Sequence, residues 1–149
     1  MDRSKQAGDN FLSGYNCAQS VTMAFADLMG MEESAAARLA SPFGGGMGRM
    51  REVCGAVSGM LIVLGILYGY DTPGDDEIKA KLYTQVQQLA ASFRDQMGTL
   101  LCREILDNPP SDPIPSARTE QYYKDRPCAR VVMAAAAVLQ EFIHQHPID

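Results

Sequence analysis

Tryptophan is absent from this 149-residue chain, and histidine occurs only twice, at His144 and His146. With both imidazoles in the tail ahead of Pro147, no Ser/His/Asp set can be assembled. The two rings suit the C-terminal end of a helix dipole and are not expected to be ligands. Short cysteine spacings are missing as well. None of the four cysteines stands in a C-x-x-C or C-x-x-C-H, which leaves zinc ribbons, thioredoxin-type motifs and c-type haem attachment without support. Clustered cations are lacking too: 13 basic against 18 acidic residues give a net charge of -5. A duplex backbone must be met by such clusters, so nucleic acid is not an expected partner. The run F-G-G-G-M-G at residues 43–48 is followed by no Gly-Lys-Ser/Thr and does not match G-x-G-x-x-G, so it is neither a P-loop nor a dinucleotide fingerprint. No apolar h-region follows Met1, and no secretory signal is expected. The expected compartment is the reducing cytoplasm, where cysteines are more often ligands or redox groups than staples.

Alternating strands are also missing, and helix formers dominate. Alanine, leucine and methionine outnumber valine, isoleucine and threonine, a balance that favours helix. Ile78, Leu82, Val86, Leu89, Phe93 and Met97 recur three or four apart, one stripe on a long helix. Thr72 is expected to cap it with Pro73 at its first position, and Gly98 to end it. A last helix starts near Pro127 and carries Val131, Ala135, Val138 and Phe142. An early one starts at Asn16, with Gln19 three residues on, and runs to Gly30. Short helices are expected over residues 32–40 and after Thr99. Residues 53–70 hold 18 positions without a charge, long enough for a membrane span. Cys54, Ser58 and four glycines within it favour a buried central helix instead, and no membrane insertion is expected.

The fold expected is an all-α, single-domain bundle over residues 1–149 around this Gly-rich helix. Residues 107–117 hold half of the eight prolines and form a stiff crossover within the domain. A helix apolar all round in a small chain leaves surface to cover, which suggests a homodimer.

Placed on this map, Cys17, Cys54, Cys102 and Cys128 share a setting at or near helix N-termini. Dipoles and unpaired N–H groups there favour the thiolate. Gly55 and Gly59 leave one helix face bare beside Cys54, where another helix or a cofactor can approach the backbone. Gly44, Gly45, Gly46 and Gly48 offer amides that could bind cluster sulfurs or a thiolate, or make a plain helix-to-helix turn. Arg49 and Arg51 flank that loop and could hold an anion, or form a solvated helix start. Tyr122 and Tyr123 would cover the start of the last helix.

The motifs N-C-A-Q-S-V at residues 16–21, F-G-G-G-M-G-R at 43–49 and V-C-G-A-V-S-G at 53–59, followed by Cys102 and Cys128, carry a resemblance. The chain resembles the C-GCAxxG-C-C family of small bacterial and archaeal redox-active chains, over nearly its whole length. The resemblance implies redox activity at the four cysteines, with a redox partner it does not specify. Three functions stay open. The four thiolates could ligate an iron–sulfur cluster and carry electrons. Pairs of them could cycle between thiol and disulfide. Or the chain could be a non-enzymatic helical binding module whose cysteines only pack. A closed zinc site is less suited, because such sites use short local spacings.

Overall fold

The computed structural model describes residues 1–148. Helix α1 (Arg3–Leu12) starts where the Asp2 side chain accepts the Lys5 amide, and it buries Arg3, Ala7 and Phe11, spaced by four. Gly8 lies on that face, where an added Cβ would stand 2.9 Å from the Met133 side chain. This close approach seats α1 against the last helix, α9 (Cys128–Gln145).

Helix α2 (Cys17–Met23) opens on a reciprocal cap. The Asn16 side chain accepts the Gln19 amide, and the Gln19 side chain accepts the Asn16 amide. Its start is as expected, but it ends at Met23 and does not run to Gly30. The amides of Ala24, Phe25 and Ala26 donate three residues back, to Val21, Thr22 and Met23. These tighter bonds convert the last turns, and the positive φ of Gly30 at +66° turns the chain away. Helix α3 (Glu33–Ala40) buries Ala36, Ala37 and Ala40, and a 3-10 turn (Ser41–Phe43) leads into the short α4 (Gly44–Met47).

Helix α5 (Gly55–Tyr68) is the expected central helix, a few residues shorter at each end than residues 53–70. Val57, Met60, Val63 and Leu64 are buried along it. Its far half is not enclosed, since Ile66 is 54% exposed. Gly55 and Gly59 face α2. A Cβ on Gly59 would stand 2.9 Å from the Ala18 carbonyl oxygen, and one on Gly55 would stand 3.1 Å from the Ala18 amide. The two helices touch backbone to backbone there.

Helix α6 (Asp76–Met97) lays the predicted stripe on the core through Leu89 and Phe93, with Leu82, Val86 and Met97 half-buried and Ile78 exposed. Gly98 ends it with φ +82°, as expected. Its start is not at Thr72. Asp75 caps it, accepting the amides of Glu77 and Ile78, while Gly74 at φ +97° breaks the helical path before it. Thr72 bonds Asp71 instead, and Pro73 lies outside the helix. After α6 come α7 (Cys102–Ile105) and α8 (Glu120–Asp125). Thr99, expected to cap α7, stands two residues too early and accepts the Leu101 amide.

The fold is all-α. Among the described residues the strand pairing is one isolated antiparallel bridge, Val53 to Leu101, and no helix is long and apolar enough to cross a membrane. The core gathers Phe11, Phe25, Met60, Leu89, Phe93 and Leu139 from five segments of chain. Residues 107–117 hold neither helix nor strand.

Candidate functional site

The cysteines are delivered by four separate helix starts. Cys17, Cys102 and Cys128 are the first residues of α2, α7 and α9, and Cys54 occupies the N-cap position of α5. Two local devices bring these starts together. The Val53–Leu101 bridge is one: the Cys54 amide donates to the Leu100 carbonyl and the Cys102 amide to the Glu52 carbonyl, both at 2.7 Å. The α2–α5 contact at Gly55 is the other, since a Cβ on Gly55 would come within 3.3 Å of the Cys17 Cβ. All four cysteines consequently line one cavity of about 60 Å³ at one end of the bundle, room for more than a single water.

The glycine loop closes that cavity by a backbone most residues avoid. Gly45, Gly46 and Gly48 have φ of +64°, +71° and +58°, and Met47, Arg49 and Arg51 are also positive. The coil is held by amide-to-carbonyl bonds from Arg49 to Gly44, Arg51 to Gly45 and Glu52 to Gly46. A side chain on Gly46 would collide with Cys102 at 2.7 Å, and one on Gly44 with Asn16. Of the glycines singled out in the sequence, Gly45, Gly46 and Gly55 line the cavity, and Gly44 and Gly48 line the outer groove that continues from it. Gly59 lines neither and serves the helix contact instead.

The residue pattern of this end of the bundle matches a family model described as "Putative redox-active protein (C_GCAxxG_C_C)" over residues 15–142. The chain belongs to that family. No curated protein and no solved structure matches it.

In this C_GCAxxG_C_C chain the four thiols are not equivalent. All are free. Cys17 and Cys128 line the same cavity, and their mutual influence lowers the pKa of Cys128 and raises that of Cys17. Cys128 is the more readily ionised of the pair, because Arg126, Arg118 and Arg51 favour its charge, as does its place at the start of an 18-residue helix. Burial opposes these effects at Cys128 and adds to the rise at Cys17. Burial pushes the Cys54 thiol up to about 12. Cys102 is raised by burial, against the lowering effect of Arg51, whose Nη1 donates to its sulfur at 3.6 Å.

Arg118 and Arg126 are cavity residues that sequence reading missed. No periodic signal marked them, because Arg118 precedes α8 (Glu120–Asp125) and Arg126 follows it in extended backbone. Arg118 stacks on Phe11 at 4.4 Å and Tyr122 at 5.0 Å, and Arg126 on Tyr122 at 4.7 Å. Arginines also pin the proline-rich connector over the glycine loop. Arg51 Nε donates to the Pro110 carbonyl at 2.9 Å, and Arg49 donates to the Asp112 carbonyl at 3.1 Å and to Ser116 Oγ at 3.3 Å. His144 and His146 lie in the last turn of α9 and just beyond it, away from the cysteines, and His146 stacks on Phe142.

Four thiols line one space, donors of the type that iron–sulfur clusters take. Its spacing does not provide a single-ion centre: among the described residues no three His, Cys, Asp or Glu side chains are grouped to hold one metal ion.

Proposed function

We propose that this redox-active family member works as a dithiol–disulfide protein, with Cys17 and Cys128 as the exchanging pair. The observation that carries the reading is that Cys17 and Cys128 line one cavity together with Arg51, Arg118 and Arg126, whose charges favour the thiolate of Cys128. The Cys128 thiolate attacks one sulfur of a substrate disulfide. A Cys128–substrate S–S bond forms, the substrate S–S bond breaks, and the first substrate thiolate leaves and takes up a proton. Cys17 then loses its proton to solvent and attacks the Cys128 sulfur. The protein disulfide forms and the second substrate thiol departs. Counted from the Cys128 thiolate, the protein gives up two electrons and the Cys17 proton, and the substrate disulfide takes both electrons and two protons, the second of them from solvent. Run backwards, the same steps oxidise a dithiol. Buried Cys54, with its high pKa, stays a thiol throughout.

The test is oxidation of the fully reduced protein by a small disulfide, followed by peptide mapping. A Cys17–Cys128 bridge, with Cys54 still alkylatable after unfolding, is expected. Four unreacted thiols would sink the reading in favour of cysteines that only pack. A second reading rests on a different observation, that all four thiols line one cavity with Gly45 and Gly46 of the glycine loop. There a cluster would supply one-electron transfer, held by Cys17, Cys54, Cys102 and Cys128. Anaerobic reconstitution with ferrous iron and sulfide separates the two. A brown protein whose colour each Cys→Ser variant abolishes supports the cluster, and a colourless one the dithiol. Either chemistry is proposed for a reducing, cytoplasmic setting. Pairing of two copies is proposed to cover exposed Ile66, Ile78 and Tyr83, and a monomer mass by light scattering would remove that part.

A further inference from the structure

The cavity is cationic in a chain that is acidic. The net charge is -5, yet no Asp or Glu lines the cysteine cavity or the groove of about 410 Å³ that opens from it. Arg51, Arg118 and Arg126 line both spaces. Among the described residues these three form no ion pair with a carboxylate, whereas Arg3, Arg49 and Arg103 each do. Arg118 donates only to the carbonyls of Phe11 and Tyr15 and to the Tyr123 hydroxyl, and Arg126 only to Ser116. Arg51 is 3% exposed, and its Nη2 is buried without any hydrogen-bond partner. A buried guanidinium with an idle donor is costly unless something anionic meets it. The two other guanidinium groups are held in place, Arg118 by aromatic faces and two backbone carbonyls and Arg126 by the Tyr122 ring and Ser116 Oγ, so their orientation is set before any ligand arrives.

We propose that Arg51, Arg118 and Arg126 form an anion-binding site for the charged group of the substrate, and that the substrate is a small disulfide or thiol carrying a carboxylate or similar oxyanion. The proposal rests on the dithiol reading for the sulfur part of that substrate and on the arginines alone for its charge. The groove fits a small molecule: the cysteine cavity with which it shares these arginines is only about 60 Å³, and the proline-rich connector forms one wall of the groove with Pro113 and Pro115. Anchoring the anion there sets the substrate sulfur beside Cys128, because the same three arginines line the cavity that holds it.

Two experiments test it. The first measures the rate at which the reduced protein opens three disulfides of similar size: dithiodiglycolate (anionic), hydroxyethyl disulfide (neutral) and cystamine (cationic). Each rate is divided by that of free dithiothreitol to remove leaving-group differences. The anionic substrate is expected to be favoured over the cationic one by at least about tenfold at low salt, with the preference shrinking as salt rises. Arg126→Gln, at a half-buried position, should erase most of it without unfolding the chain, and Arg51→Gln should do so where it folds. Equal normalised rates for all three, or a preference unchanged in Arg126→Gln, would overturn the proposal. So would a protein disulfide reacting while dithiodiglycolate does not. The second measures binding of dithiodiglycolate by calorimetry to the Cys17→Ser/Cys128→Ser double variant, which cannot exchange. Retained binding that Arg126→Gln removes supports the arginine site even if the dithiol chemistry fails. No binding overturns the site even if the cysteines exchange.

Discussion

Replacing Gly59 by alanine tests the contact that holds Cys17 in place. The new methyl would stand 2.9 Å from the Ala18 carbonyl oxygen, 3.1 Å from Val21 Cβ and 3.1 Å from Thr22 Oγ1. The nearest atom is backbone, so it cannot swing aside, and α2 must move away from α5. Overpacking of this kind costs about 1–3 kcal/mol. Alanine also gains up to about 1 kcal/mol over glycine within a helix. The difference is a net loss of roughly 1–2 kcal/mol, or a fall in Tm of several degrees for a domain of this size. Gly65 supplies the control on the same helix, because nothing lies within 4 Å of its would-be Cβ. Gly65→Ala should therefore stabilise, by about 0.5–1 kcal/mol. Urea unfolding under reducing conditions reads both. As α2 begins at Cys17, Gly59→Ala should also slow Cys17–Cys128 bridging, and Gly65→Ala should not. Equal stability changes of the same sign in the two variants would refute the backbone contact between α2 and α5.

Three further outcomes follow from the same geometry. Alkylation of Cys128 should reach half its plateau rate below the pH of an ordinary thiol, and Cys17→Ala, which removes the neighbouring thiol that lowers it, should move the profile upward; an unmoved profile would remove Cys17 as its partner. Cys54 is raised from 9.0 to about 12, so between those pH values the unfolded chain binds fewer protons than the folded one. Its contribution to stability, complete below pH 9.0, is lost as pH rises toward 12, and Cys54→Ala should flatten that fall in alkaline urea titrations. Asn16→Ala removes the α2 cap and the bond from Asn16 Nδ2 to the Ser41 carbonyl, which should cost about 0.5–2 kcal/mol in denaturant unfolding.

The periodic and capping parts of this protein were determined by local sequence. The α6 stripe, the Gly98 stop, the Asn16–Gln19 cap and the last helix after Pro127 are read from residues a few positions apart, because their causes act within one or two turns. The same locality made the placement of all four cysteines at helix starts legible. It failed where two local signals competed. Thr72-Pro73 offered the expected start for α6, and the positive φ of Gly74 moved the cap to Asp75. The early helix carried apolar residues past Met23, yet three-residue hydrogen bonds ended it there.

Tertiary structure alone decided what the cysteines face. Nothing within a few residues of Cys54 or Cys102 announces their pairing through the Val53–Leu101 bridge, because the partners are far apart in sequence and only closure of the bundle brings them together. The assignment of Gly55 to the cavity rim and Gly59 to helix packing depends on which helix lies opposite, as does the meeting of Cys17 and Cys128 in one cavity. Arg118 and Arg126 became site residues through the fold of a connector whose course no periodicity specifies. Their charge matters only because burial withholds water and carboxylates from the place where they converge.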